Sequence, residues 1–193
     1  MVTANIQHRQ VNGGLQGAFD RLRGLQKRRI MVGIPAQKSS RPKEPINNAE
    51  LLYIHTHGIR KKAMRAEMDP MIQSGMKYSK AYELWIMAHG SPLWHAPPRP
   101  VLEPALEHNK DAIMALFQQV LRAACKGDAE AEERAIHRCG MKAQNVCRGW
   151  FDNPANGWPP NSPLTIKLKK SERPLVDTGT LRKSIIYVLR DKS

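Results

Sequence analysis

The chain has 193 residues, enough for one domain or one domain with an arm, and it is 41% hydrophobic but only 6% aromatic, so its core is modest. Its 31 Lys and Arg against 17 Asp and Glu leave a net charge of +14, a field that favours nucleic acid, an acidic membrane or an acidic protein surface without choosing among them. Three cysteines with no CxxC pair argue against a disulfide framework, and no apolar run is long enough to cross a membrane.

Residues 14–27 read as a helix, with Leu15, Phe19, Leu22 and Leu25 on one stripe and Arg21, Arg23 and Lys27 on other faces. Residues 29–34 read as a strand stopped by Gly33 and Pro35, and residues 37–45 as a loop. Asn47, with Glu50 three residues on, has the spacing of a capping box. It starts a short helix whose face would be Ala49, Leu52, Tyr53 and Thr56, with Gly58 placed to end it as a left-handed cap. Residues 60–76 are rich in Met and basic groups without a clean period, and an insertion or arm at about 60–94 is expected. Within it residues 78–89 form a helix on Tyr78, Tyr82, Trp85, Ile86 and His89, closed by Gly90 and Pro92.

Pro97, Pro98 and Pro100 force an extended stretch around Arg99. Leu102, Leu106, Ile113, Leu116, Phe117, Val120, Leu121 and Ala124 then define a long amphipathic helix, broken at Gly127 and Asp128. A second long helix runs to about Trp150 on a stripe of Ile136, Cys139, Ala143, Val146 and Cys147. Residues 153–163 are a loop dense in Pro, Gly and Asn. Leu175 and Val176 lead into a turn at residues 177–179, and residues 184–189 form a closing strand. This order predicts an α+β fold: a small antiparallel sheet packed with amphipathic helices, with extended Pro-rich loops and an inserted arm.

Several motifs invite a chemical reading. Leu175-Val176-Asp177-Thr178-Gly179 looks like the loop of retroviral-type aspartic proteases, whose paired Asp residues share a proton. That fold needs a flap and further strands, and only fourteen residues follow Gly179 here, so a turn stabilised by local side-chain hydrogen bonds is the reading we adopt. His55 and His57 stand two apart and face different sides of a helix, as do His137 and Cys139, so neither pair chelates a metal. Cys125, Cys139 and Cys147 read as buried free thiols. Gly13-Gly14 is followed by no phosphate-loop signature. Trp85, Trp94, Trp150 and Trp158 could stack on bases, but Trp85 and Trp150 fall on core stripes. No catalytic residue, cofactor or metal is expected, and the polar start at residues 1–11 lacks the apolar segment of a signal peptide.

Five segments together resemble one family. They are Val32-Gly33-Ile34-Pro35, then Asn48-Ala49-Glu50-Leu51-Leu52-Tyr53-Ile54-His55 ending at Gly58, then Pro97-Pro98-Arg99-Pro100-Val101-Leu102-Glu103-Pro104-Ala105-Leu106. Trp158-Pro159-Pro160-Asn161-Ser162-Pro163-Leu164-Thr165-Ile166-Lys167 follows, and Arg173-Pro174-Leu175-Val176-Asp177-Thr178-Gly179-Thr180-Leu181-Arg182-Lys183-Ser184-Ile185 ends the set. In this order they are similar to the neck and tail-completion (virion morphogenesis) proteins of tailed bacteriophages. The chain departs from the family at Thr56-His57, where an acidic–aromatic pair is usual, in the longer stretch from Gly58 to Pro97, and in the charged Lys170-Ser171-Glu172.

The resemblance implies one domain over 1–193 that forms a homo-oligomeric ring, six-fold or a multiple, between capsid and tail. It implies neck, connector and tail proteins as partners and no membrane, and the high positive charge suits non-specific contact with passing DNA. The chain would be assembled in the host cytoplasm and located in the virion. Its assembly candidates are Pro98, Arg99, Pro100, Trp158, Pro159, Pro160, Asp177, Thr178, Gly179, Leu181 and Arg182. The segment from 158 to 189 is expected to make contacts within or between subunits. The competing expectation is a basic DNA-binding protein acting outside the virion.

Overall fold

The structure, a computed structural model, describes residues 14–42, 44–89 and 96–191, with the side chain of Leu15 left out. The polar start at 1–11, Gly13, the helix stop at Gly90 and Pro92, and Trp94 lie outside the described residues. Among the described residues are ten α-helices and one two-stranded antiparallel sheet, so the fold is a small α+β fold. They gather into two compact units, one of residues 14–31, 110–142 and 187–191, the other of Val32–Asn109 and Ala143–Ile186.

In the first unit, α1 (Gly14–Gln26) packs on α7 (Lys110–Lys126), and the unit also holds α8 (Ala129–Gly149) as far as Lys142. Its core is Val120, Ala135 and Ile136, covered by Leu25, Ile30, Phe117 and Leu189. Phe19, expected on the inner stripe of α1, is 58% exposed. The Arg21 guanidinium instead reaches the end of α7, with Nε donating to the Ala124 carbonyl at 2.9 Å and Nη2 to that of Cys125 at 3.2 Å. A cation there meets carbonyls that have no partner inside the helix and the negative end of its dipole. Gly127 (φ 76°) ends α7, and Asp128 Oδ1 accepts from Ala131 N–H at 2.8 Å to start α8, as the break at these residues predicted. Gly140 is buried under Tyr187, whose ring occupies the place a Cβ would take.

The second unit contains α2 (Ala36–Ser39), α3 (Asn48–His57), α4 (Lys62–Gln73), α5 (Tyr78–His89), α6 (Leu102–His108), the end of α8, α9 (Pro163–Lys169) and α10 (Thr180–Ser184). The strands are β1 (Arg28–Gly33), whose residues 28–31 belong to the first unit, and β2 (Ile186–Asp191), whose residues 187–191 do. The larger core of this unit is built on Leu52, Val101, Ala105, Cys147, Trp150, Phe151, Leu181 and Ile185. Burial pushes the Cys147 thiol up to about 11, which marks it as a packing group. Cys139 is buried as well, whereas Cys125, expected inside, is exposed.

Several elements differ from expectation. The region at 60–76 is not irregular: α4 buries Met64 and Met68 against Ala81 and Trp85 of α5, forming a core of its own. Met64, Met68, Met71 and Ile72 do follow helical spacing, and their burial overrides Pro70 near the end of the helix. The single helix expected from 102 to 124 is two, because Asn109 (φ −110°, ψ 17°) turns its Nδ2 back to the Ala105 carbonyl at 2.9 Å. The capping box at Asn47 and Glu50 forms. Gly58 ends α3 with φ 68° but ψ 174°, an extended mirror conformation and not a left-handed cap, because the chain must run straight into the bridge between Ile59 and Ala96. Two short helices stand where no element was expected, at 163–169 directly after the loop of 153–163 and at 180–184 directly after the turn of 177–179; Ser162 caps the first by accepting from Thr165 N–H at 3.2 Å.

Candidate functional site

Inside the second unit, the Pro-rich stretch at 97–100, the loop at 158–161 and the turn at 177–179 meet, although long sequence separates them. Arg99 ties the first two. Its backbone N–H donates to the His55 carbonyl at 2.6 Å, which lays the extended stretch along α3. Its side chain is only 8% exposed. Nε and Nη2 donate to the Pro159 carbonyl at 3.2 and 2.9 Å, and Nη2 also to that of Pro160 at 3.0 Å. Proline suits this position: it has no N–H to satisfy, and its fixed φ holds the two carbonyls in place for the guanidinium fork. The stitch runs back as well, since Trp158 Nε1 donates to the Pro100 carbonyl at 3.1 Å and its ring stands edge-on to Phe151.

Asn161 is 7% exposed, and its Nδ2 donates to the Glu172 and Arg173 carbonyls, both at 3.1 Å, anchoring the approach to the turn. Leu175 sits at φ 59°, a left-handed conformation that costs a leucine about 1 kcal/mol and that its packing against the core sustains. Gly179 (φ 76°) supplies the turn itself, and Thr178 Oγ1 accepts from Thr180 N–H at 3.4 Å. The turn then enters α10, which buries Leu181 and Ser184. Ser184 Oγ donates to the Thr180 carbonyl and accepts from Asn48 Nδ2, both at 2.8 Å, closing the turn onto α3. The Asp-Thr-Gly sequence is therefore a helix entry here, in keeping with the turn reading.

These segments enclose a cleft of about 730 Å³. Of the candidates read from the sequence, Arg99, Pro159, Pro160, Asp177, Thr178, Gly179 and Leu181 line it. Pro98, Pro100, Trp158 and Arg182 do not: Trp158 and Pro100 brace the wall from behind, and Arg182 pairs with Asp152, which Arg173 also approaches at 3.6 Å. Arg41, Asn48, His55 and Lys169 also line the cleft and were missed. His55 lay in view within the segment that forms α3, but the face assigned to that helix, correct at Leu52, was wrong at Tyr53 and left out Asn48 and His55. Tyr53 is 66% exposed, while Asn48 and Leu52 are buried and His55 half-buried. Arg41 and Lys169 carried no periodic signal.

The cleft is electrostatically one-sided. Arg41, Arg99 and Lys169 face it with Asp177 as the carboxylate among its described lining residues. Burial, and then the charges of Arg99, Lys169 and Arg41, push His55 down to about 4, so the imidazole is neutral at neutral pH. Burial also holds Arg99 and Lys169 below their ordinary values, with Asp177 opposing the shift at Lys169. Lys169 Nζ donates to the Arg173 carbonyl at 3.2 Å. Such a cavity suits the binding of an anionic group. Among the described residues no three His, Cys, Asp or Glu gather at metal-binding distance, and no helix is long and apolar enough to cross a membrane. Comparison with protein-family models, curated proteins and solved structures returns no match to this chain.

Proposed function

We propose that the chain is a non-enzymatic structural protein of a tailed bacteriophage, acting at the head–tail interface as a neck or tail-completion ring that joins or stabilises the tail on the capsid connector. One observation carries the reading. Residues from the segments that bear the resemblance, scattered between His55 and Leu181, come together around one clasp and one cleft within a single compact unit. A motif set whose members depend on one another physically is what a shared fold leaves in a sequence. The second reading, a basic protein that binds DNA outside the virion, draws on the charge of +14.

Two measurements separate them. Immunogold electron microscopy of tailed particles from lysates in which the chain is made should place the label at the neck. Sedimentation of the purified chain should give a discrete multimer that persists as salt is raised. A monomer that binds DNA with a steep dependence on log salt, and a label absent from particles, would overturn the assembly reading.

A further inference from the structure

We propose that the cleft around Arg99 is a docking site for an acidic peptide segment of a partner protein, whose carboxylates engage Arg41, Arg99 and Lys169. The proposal does not depend on the assembly reading; it follows from the cleft alone. Arg99 carries the argument. A guanidinium this deeply buried ordinarily has a carboxylate partner, because a charge withdrawn from water is costly. Here its donors meet only the carbonyls of Pro159 and Pro160, and among the described residues neither Arg99 nor Arg41 pairs with a carboxylate. Asp177, the carboxylate among the described lining residues, acts electrostatically on Lys169. An incoming carboxylate would complete the balance, with the planar fork of arginine favouring bidentate contact.

The lining selects a peptide over a nucleic-acid backbone. Leu51, Leu175 and Leu181 share the cleft with the cations. Aliphatic side chains set between carboxylates cover such surface, whereas a phosphodiester chain leaves it wet. The volume of about 730 Å³ is also on the scale of sites that enclose a ligand, unlike a surface laid along a duplex.

The test is isothermal titration of the whole chain with an acetylated, amidated heptapeptide alternating aspartate and leucine. The asparagine–leucine counterpart and a short DNA duplex are titrated beside it. The acidic peptide should bind and the neutral one should not. Arg41→Gln combined with Lys169→Gln should weaken binding at least about tenfold. Arg122→Gln combined with Arg138→Gln, equal in charge removed but on exposed helical positions outside the cleft, should change it less than about twofold. If the cleft variant melts early, Arg41→Gln alone carries the test with about a fivefold loss, since no hydrogen bond of the Arg41 side chain is broken among the described residues. Equal losses in both pairs, equal binding of the neutral peptide, no binding of the acidic peptide at millimolar concentration, or a duplex that displaces the peptide with a loss confined to the cleft variants would each overturn it.

Discussion

Each of the two units is stabilised internally by a different chemistry. The first is a packing of amphipathic helices, with Val120, Ala135 and Ile136 at its centre, helix ends held by Arg21 and Asp128, and side-chain pairs such as Arg28 with Glu133. The second has an apolar core too, but its irregular segments are fixed by side chains that reach backbone carbonyls: Arg99 to Pro159 and Pro160, Asn161 to Glu172 and Arg173, Trp158 to Pro100. Where regular structure runs out, long polar side chains take over the satisfaction of the main chain. That is also where a cleft can open, because loops held this way need not close on one another.

The largest expected effect breaks the clasp. Arg99→Met keeps much of the aliphatic stem but strands the Pro159 and Pro160 carbonyls and should cost about 4 kcal/mol. Arg28→Met in the first unit removes a pair with Glu133 at 2.7 Å that stands at the surface, and should cost below about 1 kcal/mol. Urea titration of the Trp94→Phe background separates the two: the remaining Trp85, Trp150 and Trp158 all belong to the second unit, so tryptophan emission reports that unit, and far-UV circular dichroism follows the helices. Equal costs would erase the contrast drawn between the units.

Glycines sharpen it next. A Cβ on Gly58 would stand 2.5 Å from the Ala96 carbonyl oxygen and 2.7 Å from Pro98 N, in a backbone region that only glycine occupies readily. Gly58→Ala should therefore cost about 3 kcal/mol by the same titration. Gly127→Ala meets only the movable Arg21 side chain at 3.2 Å and should cost about 1 kcal/mol.

The legibility of the sequence follows the same division. Helices with a buried stripe announced themselves: the inner face of α8 at Ile136, Cys139, Ala143 and Cys147 is buried as the period required. The Pro-rich stretch, the loop after Trp158 and the turn at Asp177 were visible only as motifs, with no sign that they touch. Their meeting depends on hydrogen bonds between residues some 60 positions apart, which no local period encodes. The helices α9 and α10 were missed because each spans a turn or two, too short for a stripe. The histidine of the cleft was missed because α3 buries Asn48, a polar residue, on its inner face; the apolar pattern found Leu52 but drew in the exposed Tyr53 and passed over the polar members of the face.

His55 gives the third effect. Its folded value of about 4 lies below the ordinary 6.5, so between these values the unfolded chain takes up a proton that the folded chain refuses. Above pH 6.5 both states are neutral and the group contributes nothing. As pH falls from 6.5 toward 4, stability should drop by about 2 kcal/mol, allowing for partial solvent screening. His55→Gln should flatten that part of the profile in thermal melts taken across the range; an unchanged slope would place the titration elsewhere. Smallest is Arg134→Ala. It removes an exposed pair with Glu130 one helical turn away and should shift the urea midpoint by the equivalent of less than about 0.5 kcal/mol.

The bond from Asn48 to Ser184 spans 136 positions. Its consequence concerns time. A ribosome that has made α3 must still deliver most of the remaining chain before the partner of Asn48 exists, and Arg99 waits about sixty residues for its carbonyls. The second unit is therefore completed late in synthesis, by contacts of high sequence separation that fold slowly. Until Leu181 and Ile185 arrive, the apolar surface they cover stands open. Nascent chains stalled short of that point should be the ones that chaperones hold, and release should follow the emergence of α10.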